Sequence, residues 1–579
     1  MPKGILNKAS LVMVPEAPID GTMPSVFPED RSGDFTFTRG SNLAATRVAS
    51  NGLIEKGREN LVLQSNQFDT TWATSAASVT SGQSGYDGTN DAWLLKRSDA
   101  SSRFIFQNLS AGSSVYTFSF YAKPESENWA YVYSFNGSSA ITTYFDLQNG
   151  VVGATSGPVI STNIQAAGNG YYRCSLTYNT SVSQVRIYPA VGNNSVTGGV
   201  TDAGIYIQDA QLEQGLAATS VITTGASTAQ AGLLENEPRI DFTGGGCGSL
   251  LLEPQRTNII TSSEYLGTGF EIGSSTSIDY NDIASPDGYK SASKVTFGAQ
   301  GIQDYFRFQF TNTANTTYVG SIFLKRGSFD EINVRVSGNA VGMDGQAIFN
   351  LANGTFRSEL GSVTPKMEDH GNGWYRCSVG DGTNATIASP SFRVSNEGLE
   401  PGFVYAWGAQ LEAASYPTSY IPTYGSSVTR SAPSLSKYDL IDSTSQTLFI
   451  EYGKTGYTGG GGEIIFEKTN PVAAIFRIYL EVDNSGADNS RVRFRTEFPA
   501  TNNDYNLGNK NEYKKIALSI DGDTAKFFGN GVLLGQFSVT STVLEQLNVR
   551  MQSSKYSTKQ LILFPTALTD EECSALTQP

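Results

Sequence analysis

Imidazole is almost absent from this chain: among 579 residues there is one histidine, His370, and there are four cysteines, Cys174, Cys247, Cys377 and Cys573. Any mechanism that pairs a histidine base with a serine or cysteine nucleophile must pass through His370, which is read as an exposed loop residue. The cysteine spacings suit neither a disulfide framework nor a zinc site, so a reducing site of synthesis suffices. Cys174 and Cys377 read as buried small hydrophobes. Charged residues are scarce at 16%, and the net charge is −14. That balance argues against sequence-independent nucleic-acid binding, which needs Lys and Arg to displace counterions from phosphates. No apolar run reaches the length of a signal peptide or a membrane span, which predicts synthesis in a cytoplasm and no membrane insertion.

Glycine (60 residues) and aromatics (11%) are plentiful instead. Aromatic and β-branched residues suit a pleated, half-buried surface, while Gly and Asn supply turns, so the expected class is all-β with several domains. The chain is internally repeated. GNGYYRCSLTY at 168–178 returns as GNGWYRCSVGD at 371–381, TYFDLQNGVV at 143–152 as AIFNLANGTF at 347–356, and SFYAKPES at 119–126 as SIFLKRGS at 321–328. The closing stretches at 206–227 and 405–427 match, and both lead-ins carry Glu, Arg and Asn at one spacing: Glu55, Arg58 and Asn60 against Glu253, Arg256 and Asn258. Two homologous modules are therefore expected at 60–227 and 258–430, joined by a linker at 228–257. A Ser/Thr/Pro-rich joint at 425–437 precedes a third unit at 438–579. Residues 1–59 are left as an arm and linker, with Leu11, Val12, Met13 and Val14 as apolar anchors.

Within the modules the period is two. QDYFRFQF at 303–310 and EINVRVS at 331–337 alternate, with Ile332, Val334 and Val336 expected inside. NWAYVYS in the first copy places Trp129, Tyr131 and Tyr133 at the positions of that trio, so these aromatics are read as core. Such strands, with no helices between them, point to two-sheet jelly-roll sandwiches.

The lead-ins PRIDFTGGGCGSLLLEPQRTN (238–258) and FTFTRGSNLAATRVASNGLIEKGREN (35–60) resemble the repeat signature of bacteriophage tail-fibre, head-fibre and capsid-decoration proteins. The two modules resemble jelly-roll carbohydrate-binding modules. The third unit resembles the laminin-G or concanavalin A-like lectin sandwich through KKIALSIDGDTAKFFGNGVLLG (514–535), with turns at Asp521–Gly522 and Asn530–Gly531. LILFPTALTDEECSALTQ (561–578) looks like its closing strand and a short helix, with a capping box from Thr569 to Glu572. The resemblance implies tandem sandwiches with an extended N-terminal arm that docks on capsid or tail proteins. It further implies a virion-surface location reached by lysis and a homo-oligomer, with a trimer favoured.

An enzyme and a binder both have to be weighed. A glycoside hydrolase needs two carboxylates. GEIIFE at 462–467 offers Glu463 and Glu467 on one face, but Ile465 stands where a third acid belongs, so no catalytic residue is assigned. No cofactor is called for. Asp209, Glu213 and Asp483 are the carboxylates a structural Ca²⁺ would use, with solvated acids as the plainer reading. For cell-surface glycans, the outward faces offer Tyr305, Arg307, Gln309, Asn333, Arg335 and Arg393 in the second module. In the first they offer Arg103, Gln107, Arg186 and Tyr188. A purely solvated face, and an architectural cement that binds no sugar, explain the same alternation.

Overall fold

The computed structural model describes residues 3–15, 21–40, 43–299, 304–337, 344–360, 365–380, 390–396, 400–441, 445–454, 463–468, 476–482, 489–497, 500–509, 512–538, 544–549 and 556–579. Antiparallel β-sheet dominates it. No helix among these residues is long and apolar enough to cross a membrane.

The second module is a sandwich of two six-stranded sheets. One runs Phe270–Ile272, Tyr305–Gln309, Ser391–Ser395, Glu331–Ser337, Asp344–Asn350, Thr355–Leu360; the other runs Thr276–Ile283, Ala292–Phe297, Gly402–Glu412, Val319–Arg326, Trp374–Gly380, Lys366–Asp369. The first module repeats this strand order with one difference. Its strands Phe104–Pro124 and Tyr172–Ala190 run unbroken through both sheets, bending at register shifts between Asn108, Ala111 and Ser114. Irregular pairing of this kind turns a corner without ending the strand. Each module closes its own core, around Phe118, Phe120, Cys174 and Leu176 in the first and Ile322, Leu324, Cys377 and Val394 in the second.

The shared lead-in asparagine is a pin at the base of each core. Asn60 donates to the carbonyls of Ala210 (3.1 Å) and Ile222 (2.8 Å) and accepts from the N–H of Leu212 (3.1 Å) and Val62 (3.2 Å). Asn258 repeats all four contacts with Ala409, Ile421, Leu411 and Ile260. A buried amide with every polar atom used fixes where a module begins.

The third unit corrects the expectation of a free N-terminal arm. Leu11–Met13 pairs with Leu561–Leu563 of the last strand, and Phe35–Thr38 pairs with Ser434–Ser436. The linker joins as well, since Ile240–Asp241 and Ser249–Leu252 extend the same sheet as the last strand. Leu11, Met13, Phe35, Phe37, Ile240 and Leu250 are buried in one cluster with Ile450, Phe527 and Leu561. The apolar anchors therefore satisfy a sheet edge of their own chain, which would otherwise expose unpaired backbone groups and apolar side chains. The first hairpin turns one residue later than expected, at Gly522–Asp523, with Asp521 still paired to Thr524, whereas the hairpin at Asn530–Gly531 forms as read. So does the capping box, with the Thr569 hydroxyl accepting from the Glu572 N–H at 3.2 Å and the Glu572 carboxylate accepting from the Thr569 N–H at 3.1 Å.

Candidate functional site

The outward face of the first module's bent sheet is built by four neighbouring strands, and cross-strand register decides what meets there. Arg186 lies opposite both Phe106 and Tyr133; Tyr188 lies opposite Tyr131, which in turn lies opposite Tyr144. Ala130, Val132, Ile105 and Ile187 occupy the alternate positions and are buried in the core. Trp129, Tyr131 and Tyr133 thus face away from the core and are half-buried, which corrects their reading as core. In the second module Arg393 lies opposite Arg307 and Arg335, as Arg186 does to Phe106 and Tyr133. Tyr133 therefore corresponds to Arg335 and Tyr131 to Asn333. The sequence match had been one residue out of step, and in a strand one residue exchanges the two faces.

The aromatic face is closely assembled. The Arg186 guanidinium sits 4.7 Å from the Phe104 ring and 4.3 Å from the Tyr133 ring, a double cation–π contact, and donates to the Tyr188 hydroxyl at 3.2 Å. Tyr131 packs against Tyr144 at 4.3 Å and against Tyr188 at 5.0 Å between ring centroids. Burial pushes the Tyr144 and Tyr188 phenols up to about 12, so both stay neutral donors at ordinary pH. Tyr144 and Tyr188 are 8% and 4% exposed and so support the face from beneath, while the half-buried rings of Trp129, Tyr131 and Tyr133 beside a fixed guanidinium can stack a sugar. Two other candidates of this module lie elsewhere. Gln107 is 2% exposed and its amide is used by the Leu63 backbone, accepting at 2.7 Å and donating at 2.8 Å. Arg103 forms a two-point pair with Asp99 at the rim of the sheet.

The equivalent face of the second module is polar. Tyr305, Arg307, Arg393, Arg335 and Asn333 do share one sheet on adjacent strands. Arg307 makes a forked pair with Glu271, and Tyr305 donates to the same carboxylate at 2.5 Å while lying 4.6 Å under Arg393. Asn333 is outward by register but only 3% exposed, so its neighbours cover it. Gln309 is exposed at the strand end.

No protein-family model matches the sequence, and no curated protein matches it. Among solved structures the chain is similar to the N-terminal CBM22-1-CBM22-2 tandem domain from Paenibacillus barcinonensis Xyn10C, at 10% identity. The match covers 65% of this chain and 99% of that one, with a TM-score of 0.19. At that score the likeness carries no functional argument, and the site rests on its own geometry.

The remaining sequence candidates fall as follows. Glu213 is fully buried and pins the loop after its strand, accepting from the Thr219 N–H (2.8 Å), the Thr219 hydroxyl (2.5 Å) and Gln211 (2.6 Å). Glu412 does the same with Thr418 and Gln410, so this carboxylate is part of the repeated scaffold, both of its oxygens engaged by the loop it holds. Asp209 occupies a left-handed bulge position (φ 48°) that its counterpart Gly408 shares (φ 64°). Burial raises its carboxyl to about 6, and its Oδ2 accepts from the Tyr86 hydroxyl at 3.0 Å. Asp483 lies outside the described residues, and among those described no three His, Cys, Asp or Glu side chains converge to hold a metal ion. Glu463 and Glu467 lie on a strand with a register irregularity between Ile464 and Phe466, and their cross-strand partners, Leu480 and Arg477, are an odd number of residues apart. The side chains of both acids lie outside the described residues. His370 is half-buried, its ring edge-on to Phe323 at 4.9 Å, and so is not the open loop residue expected.

Proposed function

We propose that this chain is a non-enzymatic adhesion protein of a phage particle that binds saccharide through the outer aromatic face of its first module. The observation that carries the reading is the half-buried row of Trp129, Tyr131 and Tyr133 along one strand, with Arg186 held between the Tyr133 and Phe104 rings. Core packing does not require aromatics there, because the interior is already filled from the opposite side of the same strands. The particle setting is supported by the fibre- and decoration-type lead-ins. Docking on a capsid or tail falls to surfaces other than the strands at 11–13 and 35–38, which are already paired within the chain. The second module, whose Arg307 and Tyr305 engage Glu271, serves as a spacer or a polar auxiliary surface.

A glycan array probed with the full chain tests the proposal. Binding should weaken about tenfold, about 1.4 kcal/mol, in Tyr131→Ala and Tyr133→Ala. Arg307→Ala in the second module should leave it unchanged. A blank array with the parent chain would overturn the proposal in favour of an architectural cement.

A further inference from the structure

The hairpin that leads into the first module does not pack on that module. Thr46–Val48 and Ile54–Lys56 pair with each other and lie against the second module, with the Ile54 N–H donating to the Pro286 carbonyl at 2.9 Å. Ile54 is buried among Phe323, Trp374, Trp407 and Tyr420. Lys56 follows it inward, and its ammonium position is surrounded as few lysines are. Nζ is 2.5 Å from Glu264 Oε1 and 3.0 Å from Asp287 Oδ2, with the Trp407 and Tyr424 rings 5.4 and 5.7 Å away. The side chains of Lys56, Glu264 and Asp287 are 7%, 1% and 2% exposed.

The two carboxylates are not equivalent. Asp287 Oδ1 accepts from the Ser285 hydroxyl at 2.5 Å and from the Tyr289 N–H at 3.2 Å, so two donors hold the oxygen that would carry negative charge if its carbon were attacked. Glu264 Oε1 faces Lys56 and accepts from the Tyr420 and Tyr424 hydroxyls at 3.2 and 3.3 Å, whereas its Oε2 is buried with no partner among the described residues. Burial raises the Glu264 carboxyl above the usual carboxylate range, while the two carboxylates together hold Lys56 well above the usual lysine range, so the nitrogen must first give a proton to the carboxylates it touches. With its nitrogen 3.0 Å from Asp287 Oδ2 in a dry pocket, Lys56 then has the proximity that amide formation needs.

We propose that Lys56 and Asp287 are joined by an intramolecular amide bond, formed with Glu264 as the proton carrier. The Lys56 nitrogen attacks Cγ of Asp287 and the C–N bond forms. Glu264 takes a proton from that nitrogen and delivers it to the departing Oδ2–H, the C–O bond breaks, and one water leaves. No oxidant, nucleotide or metal enters the balance. The bond encloses the whole first module in a covalent loop, so tension between the lead-in hairpin and the second module bypasses the module that carries the aromatic face. Closing a loop of that length also restricts the unfolded chain, as a long-loop disulfide does.

Intact mass spectrometry of the full-length chain under denaturing conditions tests this. The expected mass is below the sequence mass by one water, and a proteolytic map should contain one branched peptide joining the Lys56 and Asp287 segments. Glu264→Gln and Lys56→Arg should each restore the full mass and yield linear peptides only. The parent mass and map decide the matter alone if either variant fails to fold. A parent chain of full mass with linear peptides, an ion pair only, overturns the proposal, and a branch through Glu264 overturns the assignment of roles.

Discussion

Replacing Asn258 with alanine removes a fully buried amide that closes four hydrogen bonds, to Ala409 (3.3 Å), Ile421 (2.9 Å), Leu411 (3.1 Å) and Ile260 (3.1 Å). Each backbone group left dry costs about 1–3 kcal/mol. Water entering the vacated space satisfies some of the four, which brings the expected loss to about 3–5 kcal/mol. For a unit of this size 1 kcal/mol moves the melting temperature by about 2–4 °C, so the transition of the second module should fall by about 10 °C. Scanning calorimetry of the full chain reads the shift, and limited proteolysis at intermediate temperature identifies the unit that has opened. The repeat supplies the control, because Asn60→Ala should move the transition of the first module by a similar amount and leave the second in place. A loss under about 1 kcal/mol in both variants would refute the argument that these amides pin the two cores, because the freed groups would then have cost nothing.

Asp209 predicts a pH effect of defined sign. Its folded carboxyl titrates near 6, above the ordinary aspartate value, so the folded state holds the proton more tightly and the first module should gain stability as pH falls from about 6 towards 4. Asp209→Asn, which tolerates the same left-handed backbone, should flatten thermal melts across that window. A Cβ on Gly320 would lie 2.2 Å from the Phe392 ring and 2.9 Å from Val336, so Gly320→Ala should destabilise the second module by about 1–3 kcal/mol in denaturant titration. Thr569→Ala removes the capping box of the last helix, at about 1 kcal/mol, and should speed thiol labelling of Cys573, which that helix buries. Deleting residues 1–38 strips Leu11, Met13, Met23, Phe35 and Phe37 from the third core, at about 1.5–3 kcal/mol each, and should unfold that unit while both modules keep their transitions.

The repeat was legible because it is written in local signals. GNG turns at Asn169 and Asn372 adopt the same left-handed conformation (φ 55° and 52°), and the cysteines that follow are both wholly buried in equivalent strands. The orientation of the aromatic stripe was not legible, because strands with two half-buried faces alternate identically whichever face is inside. Small residues at Ala130 and Ser134 between the rings were the available signal, since a two-sheet interior accepts them where the outer face holds the bulk. Arg186, Tyr188 and the second module's arginines were placed on their faces by alternation alone, whereas the same alternation puts Gln107 on the inner face with Ile105, opposite Val185, where its amide meets Leu63. The apolar run at 11–14 could be seen to need a partner, but no periodicity names a partner at the opposite end of the chain.

That pairing sets the order in which the protein can be made. Ser10 donates to Leu563 across a separation of 553 residues, so the strand at 11–13 leaves the ribosome long before the neighbour it pairs with. Both modules can fold while the last unit still waits, its earliest pieces exposed as a sticky apolar edge. A truncated product can never bury that edge. The strands at 11–13 and 556–564 thus certify one another, and a chain that displays a closed third unit has been translated through Phe564.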